Sequence, residues 1–128
     1  MAKAKQFLID THVFLWWLEG SVKLGRELKE LLSRPEVKVY LSVVSVWEMV
    51  IKNKIGRLKL PSDLKKYIEE SGCVVLPVEL NHAMEVGRLP WLHKDPFDRM
   101  LVAQAREEQL ILVTKDIKIM KYDVEVWE

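Results

Sequence analysis

Short apolar runs alternate along the chain with longer segments in which apolar residues recur at helical spacing. The apolar runs predict strands over residues 7–9, 37–41, 73–78 and 110–113, and a short fifth strand over residues 124–127. Strands that are apolar on both faces and separated by helices are typical of a parallel sheet covered on both sides. The pattern therefore predicts an α/β fold with a central, mostly parallel sheet of four to five strands flanked by helices.

The segments between the strands predict the helices. They run over residues 13–18 and 24–32, from Ser42 or Ser45 to Asn53 or beyond, from Pro61 to Gly72, over residues 82–86, and from Pro96 onward. The last helix has the clearest start, because Asp95 is a natural N-cap and proline fits the first helical position.

Composition indicates the number of domains and the cellular compartment. The 128 residues are 49% hydrophobic and 30% charged, which is typical of one soluble globular domain over residues 1–128. Cys73, the single cysteine, has no partner for an internal disulfide, which favours a reducing, cytoplasmic setting. Asp10 and His12 interrupt the first apolar stretch, so neither a signal peptide nor a membrane span is expected there. The net charge of +1 says nothing about nucleic-acid binding.

Four acidic residues follow the predicted strands or begin the helices after them. Asp10 directly follows the first strand, and Glu48 lies in the early turns of the helix after the second. Asp98 lies in the first turn of the helix that follows Asp95, and Asp116 comes shortly after the fourth strand. The carboxyl ends of parallel strands and the amino ends of the following helices share one edge of a sheet, where ligands bind. Several carboxylates at one edge are tolerated when a divalent cation lies between them.

Each acid also has a purely structural explanation. Asp10 could cap a helix, Glu48 could reach back to Ser45 in a capping box, Asp98 suits a helix amino end, and Asp116 suits a turn. The joint occurrence of the four favours a metal site over four separate caps and turns. Zinc is not indicated, because the histidines lack zinc-ligand spacing, and His93 is expected in a solvated loop.

Four segments resemble, in order, the motifs of PIN domains and, more narrowly, of VapC-type toxins from prokaryotic toxin–antitoxin pairs. The segments are Leu8-Ile9-Asp10-Thr11-His12, the Glu48 helix, Asp95-Pro96-Phe97-Asp98-Arg99 with the residues up to Ala105, and Leu112-Val113-Thr114-Lys115-Asp116. The resemblance implies a three-layer PIN-like fold and an endoribonuclease that depends on Mg²⁺ or Mn²⁺. It also implies an RNA substrate, a cognate antitoxin and a homodimer.

The resemblance assigns roles to individual positions. Asp10, Glu48, Asp98 and Asp116 match the family's catalytic and metal-binding acids, and Asp10 and Asp98 are the first choices as direct ligands. Glu48 and Asp116 are expected to bind the metal through water, to orient the nucleophile or to complete a second metal site. Supporting roles are expected for Thr11, Asp95, Arg99 and Thr114. Phosphate contacts are expected from Arg99, Lys115 and Lys52.

Two alternatives stay open at this point. The chain could be a non-catalytic PIN-like module that acts by binding protein, or a PIN nuclease that works in RNA processing outside any toxin system. A haloacid-dehalogenase-like phosphohydrolase is disfavoured, because its second Asp would stand where the chain has His12. A nucleotide-binding domain is disfavoured because neither glycine-rich phosphate loop is present.

Overall fold

Four parallel strands form the centre of the computed structural model, which describes residues 5–127. In chain order they are β1 (Gln6–Ile9), β2 (Lys38–Ser42), β3 (Val74–Leu76) and β4 (Ile111–Val113). Their order across the sheet is β3-β2-β1-β4, and every pairing between them is parallel. The predicted α/β fold with a parallel sheet is confirmed.

Helices cover both faces of this sheet. They are α1 (Thr11–Glu19), α2 (Arg26–Leu32), α3 (Val43–Lys54), α4 (Leu64–Glu70), α5 (Leu80–Val86) and α6 (Pro96–Glu108). Single turns of 3-10 helix lie at Val22–Leu24 and Ile119–Lys121. Within residues 5–127, none of the helices has the length and apolar character needed to cross a lipid bilayer.

The side chains of β1 show why the strand is a continuous apolar run in the sequence. Phe7 and Ile9 belong to the core cluster that contains the buried residues of α1 and α2. Leu8 points to the opposite face and packs in the cluster formed mainly by α6. Because both faces of the strand are buried, no polar alternation appears in the sequence. The molecule has the predicted three layers of helix, sheet and helix.

Several predicted boundaries differ from the structure, and the strand predicted over residues 73–78 is limited to Val74–Leu76. The helix predicted from Pro61 begins at Leu64, after a turn. The helix predicted from Leu24 begins at Arg26, because Gly25 adopts a φ of 84° that interrupts the helical backbone. The predicted fifth strand was wrong in extent, since the 124–127 segment pairs with β4 through one parallel bridge, Leu112 to Val126.

The strand order creates a crevice beside β1. The chain leaves β1 and returns as β2 on one side, whereas β4 lies on the other side of β1. Open α/β sheets bind their ligands outside the carboxyl ends of strands at such a reversal of direction. The Asp10 backbone N–H donates to the Val113 carbonyl at 3.0 Å, which ties the two strand ends together. The residues that follow β1 and β4 therefore face each other.

Candidate active site

Asp10 lies at the junction of β1 and α1 and serves both the helix and the crevice. Its Oδ1 accepts a hydrogen bond from the Val13 backbone N–H at 2.8 Å, so it is the N-cap of α1. Its Oδ2 accepts a hydrogen bond from the Thr114 hydroxyl, which reaches across from the end of β4. Burial raises the pKa of the Asp10 carboxyl above its usual value, although these two hydrogen bonds favour the charged form. Capping therefore occupies only one of its two oxygens.

Thr114 links Asp10 to Asp116. While its hydroxyl donates to Asp10, the same oxygen accepts the Asp116 backbone N–H at 3.0 Å. Asp116 Oδ1 accepts the Lys118 backbone N–H at 2.8 Å, which makes Asp116 a turn residue as well. Its other oxygen, Oδ2, faces the crevice and lies 3.4 Å from Nε2 of His93.

Glu48 is buried, with 2% of its side chain exposed, and does not form the capping box that was one explanation for it. The N-cap of α3 is Ser42, whose hydroxyl accepts the Val44 backbone N–H at 3.1 Å, so Glu48 lies in the second turn. Its Oε1 accepts the Thr11 hydroxyl at 2.8 Å, and its Oε2 lies 2.6 Å from the Lys52 ammonium. The carboxylate is thus held between α1 and its own helix.

Asp98 enters the site from the amino end of α6. Asp95 is the N-cap of this helix, as predicted, and its Oδ1 accepts the backbone N–H groups of Phe97 and Asp98 at 2.8 and 3.2 Å. The Asp98 carboxylate takes no part in the cap. Burial, followed by the charges of Asp95, Glu48 and Asp10, raises its pKa to about 7, against an opposing effect of His93. Negative charge is therefore crowded around Asp98.

His93 belongs to this site, contrary to the expectation of a solvated loop. Only 11% of its side chain is exposed, and its Nε2 lies 2.9 Å from Oδ2 of Asp98. Sequence spacing could not reveal this contact, because His93, Asp98 and Asp116 come from a connection, a helix and a turn. Its position close before the Asp95–Asp98 block was the one available signal.

The arrangement fits a divalent cation. One ligand atom each from His93, Asp98 and Asp116 lie within 4.8 Å of one another. A cation would offset the neighbouring carboxylate charges that, after burial, raise the pKa of Asp98, and carboxylate oxygens are the ligands that Mg²⁺ and Mn²⁺ prefer. Asp10 is connected to this group by its hydrogen bond from the Thr114 hydroxyl. Glu48 is close enough for its charge to raise the pKa of Asp98.

The three side chains expected to contact phosphate are directed at protein partners instead. Arg99 is buried, and its guanidinium donates to the Pro90 and Val86 carbonyls and to the Tyr122 hydroxyl at 3.0 to 3.2 Å. A phosphate contact from Arg99 does not fit this placement. Lys52 pairs with Glu48, and the Lys115 ammonium lies 2.6 Å from the Lys23 carbonyl and over the Trp16 ring.

Comparison with solved structures finds the same fold in several prokaryotic proteins. VapBC2 from Rickettsia felis bound to a DNA fragment from its promoter gives a TM-score of 0.70 at 14% identity, covering 96% of this chain and 97% of that one. DNA-bound VapBC from Salmonella typhimurium gives 0.67 at 16% identity, covering 97% of each chain. FitAcB from Neisseria gonorrhoeae gives 0.66 at 22% identity, covering 95% and 96%.

Comparison of the sequence with protein families gives a more specific classification than the fold does. No curated protein matches the chain. The family model for the PIN domain matches residues 7–125, nearly the whole chain and all the acids described above. The chain belongs to the PIN domain family.

Proposed function

We propose that the chain is a metal-dependent endoribonuclease that hydrolyses RNA phosphodiester bonds as the toxin of a toxin–antitoxin pair. The observation that carries the proposal is the cluster around Asp98, in which one ligand atom each from His93, Asp98 and Asp116 lie within 4.8 Å of one another. Burial first, and then the neighbouring carboxylates, raise the pKa of Asp98 to about 7. A protein keeps such an unfavourable group of charges when a cation or a reaction uses them. Membership of the PIN family and the likeness to VapBC structures support this interpretation of the site.

In this proposal Asp10, Asp98 and Asp116 hold Mg²⁺ or Mn²⁺ at the end of the sheet. The bound ion lowers the pKa of a water molecule and stabilises the charge on the transferring phosphate. Thr114 orients the Asp10 carboxylate by its hydrogen bond. Glu48 has both oxygens engaged, with Thr11 and Lys52, which suits it to orient the attacking water rather than to bind metal directly.

Exposed side chains around the site can contact the phosphates and the bases of an RNA substrate. Lys94 and Lys118 are exposed next to His93 and near Asp116, and their ammonium groups can contact phosphates. Trp91 is 70% exposed. The Arg99 guanidinium lies over its ring, 4.4 Å from the ring centroid, and supports the indole on one face. An exposed indole held in this way can stack on an unpaired base.

An antitoxin and a second copy of the chain are the partners that the proposal includes. Support for an antitoxin comes from the likeness to the VapBC structures and to a toxin–antitoxin complex from Klebsiella pneumoniae. Helix α3 and its C-cap residue carry exposed apolar side chains, which suit a protein interface: Val43, Trp47, Val50, Ile51 and Ile55. A non-catalytic binding module would use the same surface, so only a test of cleavage separates the two functions.

The test compares wild type with Asp10→Asn, and uses Asp63→Asn as an exposed acidic control. Asparagine can still cap α1, so the fold is expected to survive while the metal ligand is lost. We expect wild type and Asp63→Asn to arrest bacterial growth and to produce discrete new RNA ends that require Mg²⁺ or Mn²⁺. Asp10→Asn is expected to do neither. Full cleavage by Asp10→Asn would overturn the proposal, and growth arrest without cleavage by all three would favour the binding module.

A further inference from the structure

The His93 imidazole connects three segments of the chain through both of its nitrogens. Nε2 lies 2.9 Å from Oδ2 of Asp98 and 3.4 Å from Oδ2 of Asp116. Nδ1 accepts the Asp95 backbone N–H at 3.3 Å. A neutral imidazole that accepts a hydrogen bond at Nδ1 carries its proton on Nε2. The N–H of Nε2 is therefore directed at the two carboxylates.

The backbone of His93 is held in place by contacts that do not involve the acids. The His93 backbone N–H donates to the hydroxyl of Tyr122 at 3.0 Å, and Tyr122 is buried. The Arg99 guanidinium donates to the same hydroxyl and to the Pro90 carbonyl, both at 3.0 Å, which fixes the connection before His93. The imidazole is thus presented to the crevice by a buried network.

We infer that His93 is a positioning residue of the metal site, and that its Nε2–H holds the Asp98 and Asp116 carboxylates together at the spacing a cation needs. The inference rests on the proposed function, because it concerns the same acids. Asp98 comes from α6 and Asp116 from the turn after β4, and like charges would otherwise drive them apart. Hydrogen-bond donors to ligating carboxylates orient those ligands.

Direct coordination by His93 requires a different tautomer. Nε2 would have to give up its proton to bind a metal ion, and a neutral ring would then carry the proton on Nδ1. That proton would face the Asp95 backbone N–H, so the hydrogen bond at Nδ1 would be lost. Asp95 therefore has a second role beyond the N-cap, since its backbone N–H selects the tautomer in which His93 is a donor.

The test measures Mn²⁺ affinity by electron paramagnetic resonance for wild type, His93→Ala, His93→Gln and the exposed lysine control Lys65→Ala. We expect His93→Ala to weaken binding about 10–100-fold, as loss of a hydrogen bond to a ligand does elsewhere. His93→Gln keeps an N–H donor at the distance of Nε2 and is expected to restore most of the affinity. Lys65→Ala is expected to match wild type.

A second measurement separates a donor from a ligand. Electron spin echo modulation of the Mn²⁺-loaded wild type is expected to lack the coupling of a directly bound imidazole nitrogen. Detection of that coupling, unchanged affinity in His93→Ala, or a His93→Gln variant as weak as His93→Ala would each overturn the inference while leaving the proposed function intact. Absence of Mn²⁺ binding by wild type would overturn both.

Discussion

The Lys52 ammonium lies 2.6 Å from Oε2 of Glu48, one helical turn earlier in α3. The Lys52 side chain is 37% exposed, whereas that of Glu48 is almost completely buried. The other Glu48 oxygen accepts the Thr11 hydroxyl, so both oxygens have partners before any metal ion binds. Glu48 is therefore the one acid of the site whose charge is balanced by a lysine of its own helix.

Replacing Lys52 by Met is expected to destabilise the metal-free protein. The change leaves a buried carboxylate oxygen without its partner, which costs about 1–3 kcal/mol of the free energy of unfolding. Urea unfolding in the presence of a chelator measures the loss, and added Mg²⁺ is expected to reduce it. The control Lys54→Met removes an exposed lysine two residues later and should change stability by less than about 0.5 kcal/mol. Equal stability of the two variants would contradict the prediction.

Thr114→Val is expected to lower both activity and stability. Valine has a similar shape but removes the hydroxyl that orients Asp10 and accepts the Asp116 backbone N–H. We expect cleavage or metal affinity to fall about 10–100-fold, while the free energy of unfolding falls by about 1–3 kcal/mol. Thr114→Ser keeps the hydroxyl and should behave nearly as wild type. Wild-type cleavage rates for the valine variant would refute the role given to Thr114.

The Asp98 carboxyl makes the stability of the metal-free protein depend on pH. Its pKa is 3.8 in an ordinary environment and about 7 in the folded protein, so the folded state holds the proton more tightly. Asp98 therefore stabilises the fold at pH values below about 4, and this contribution is lost as the pH rises through about 7.

This dependence can be isolated with Asp98→Asn. Melting temperatures measured in a chelator between about pH 4 and about pH 8 should fall more steeply for wild type than for the variant. Mg²⁺ should flatten the wild-type curve, because a cation favours the ionised carboxylate. Parallel curves for the two proteins in chelator would show that Asp98 does not titrate in this range.

Arg99→Met is expected to unfold the protein more easily without changing how RNA binding depends on salt. The change removes charged hydrogen bonds to the Val86 and Pro90 carbonyls, and we expect a loss of about 1.5–3 kcal/mol. The exposed control Arg88→Met should cost at most about 1 kcal/mol. If Arg99 contacts phosphate instead, the salt slope of RNA binding will fall by about 1 in the variant that remains folded.

The edge of the sheet that carries Asp10, Glu48 and Asp116 could be predicted from strand and helix order, because the carboxyl ends of parallel strands lie at one side of the sheet. Asp98 begins α6, which follows α5 and a connection rather than a strand, so its place at this edge depends on the path of the chain. The extent of the fifth strand could not be predicted, because apolar residues at 124 and 126 give the same sequence pattern whether one or several residues of this segment pair with β4.

His93 and Arg99 show what the sequence pattern does not reveal. A histidine in a polar connection and an arginine beside an acid both resemble solvated residues. Their environments depend on Tyr122, whose hydroxyl contacts the backbone N–H of His93 from 29 positions further along the chain. A contact over that separation follows from the path of the connection, which has no local sequence pattern.

The hydrogen bond between Thr114 and Asp10 joins residues 104 positions apart, so it cannot form until both residues have been synthesised. During translation, β1 and β2 can pair long before β4 leaves the ribosome. Until then the growing chain lacks Asp116, Thr114 and the second wall of the crevice. Under the proposed function, the site therefore cannot act on RNA before Thr114 and Asp116 have been synthesised.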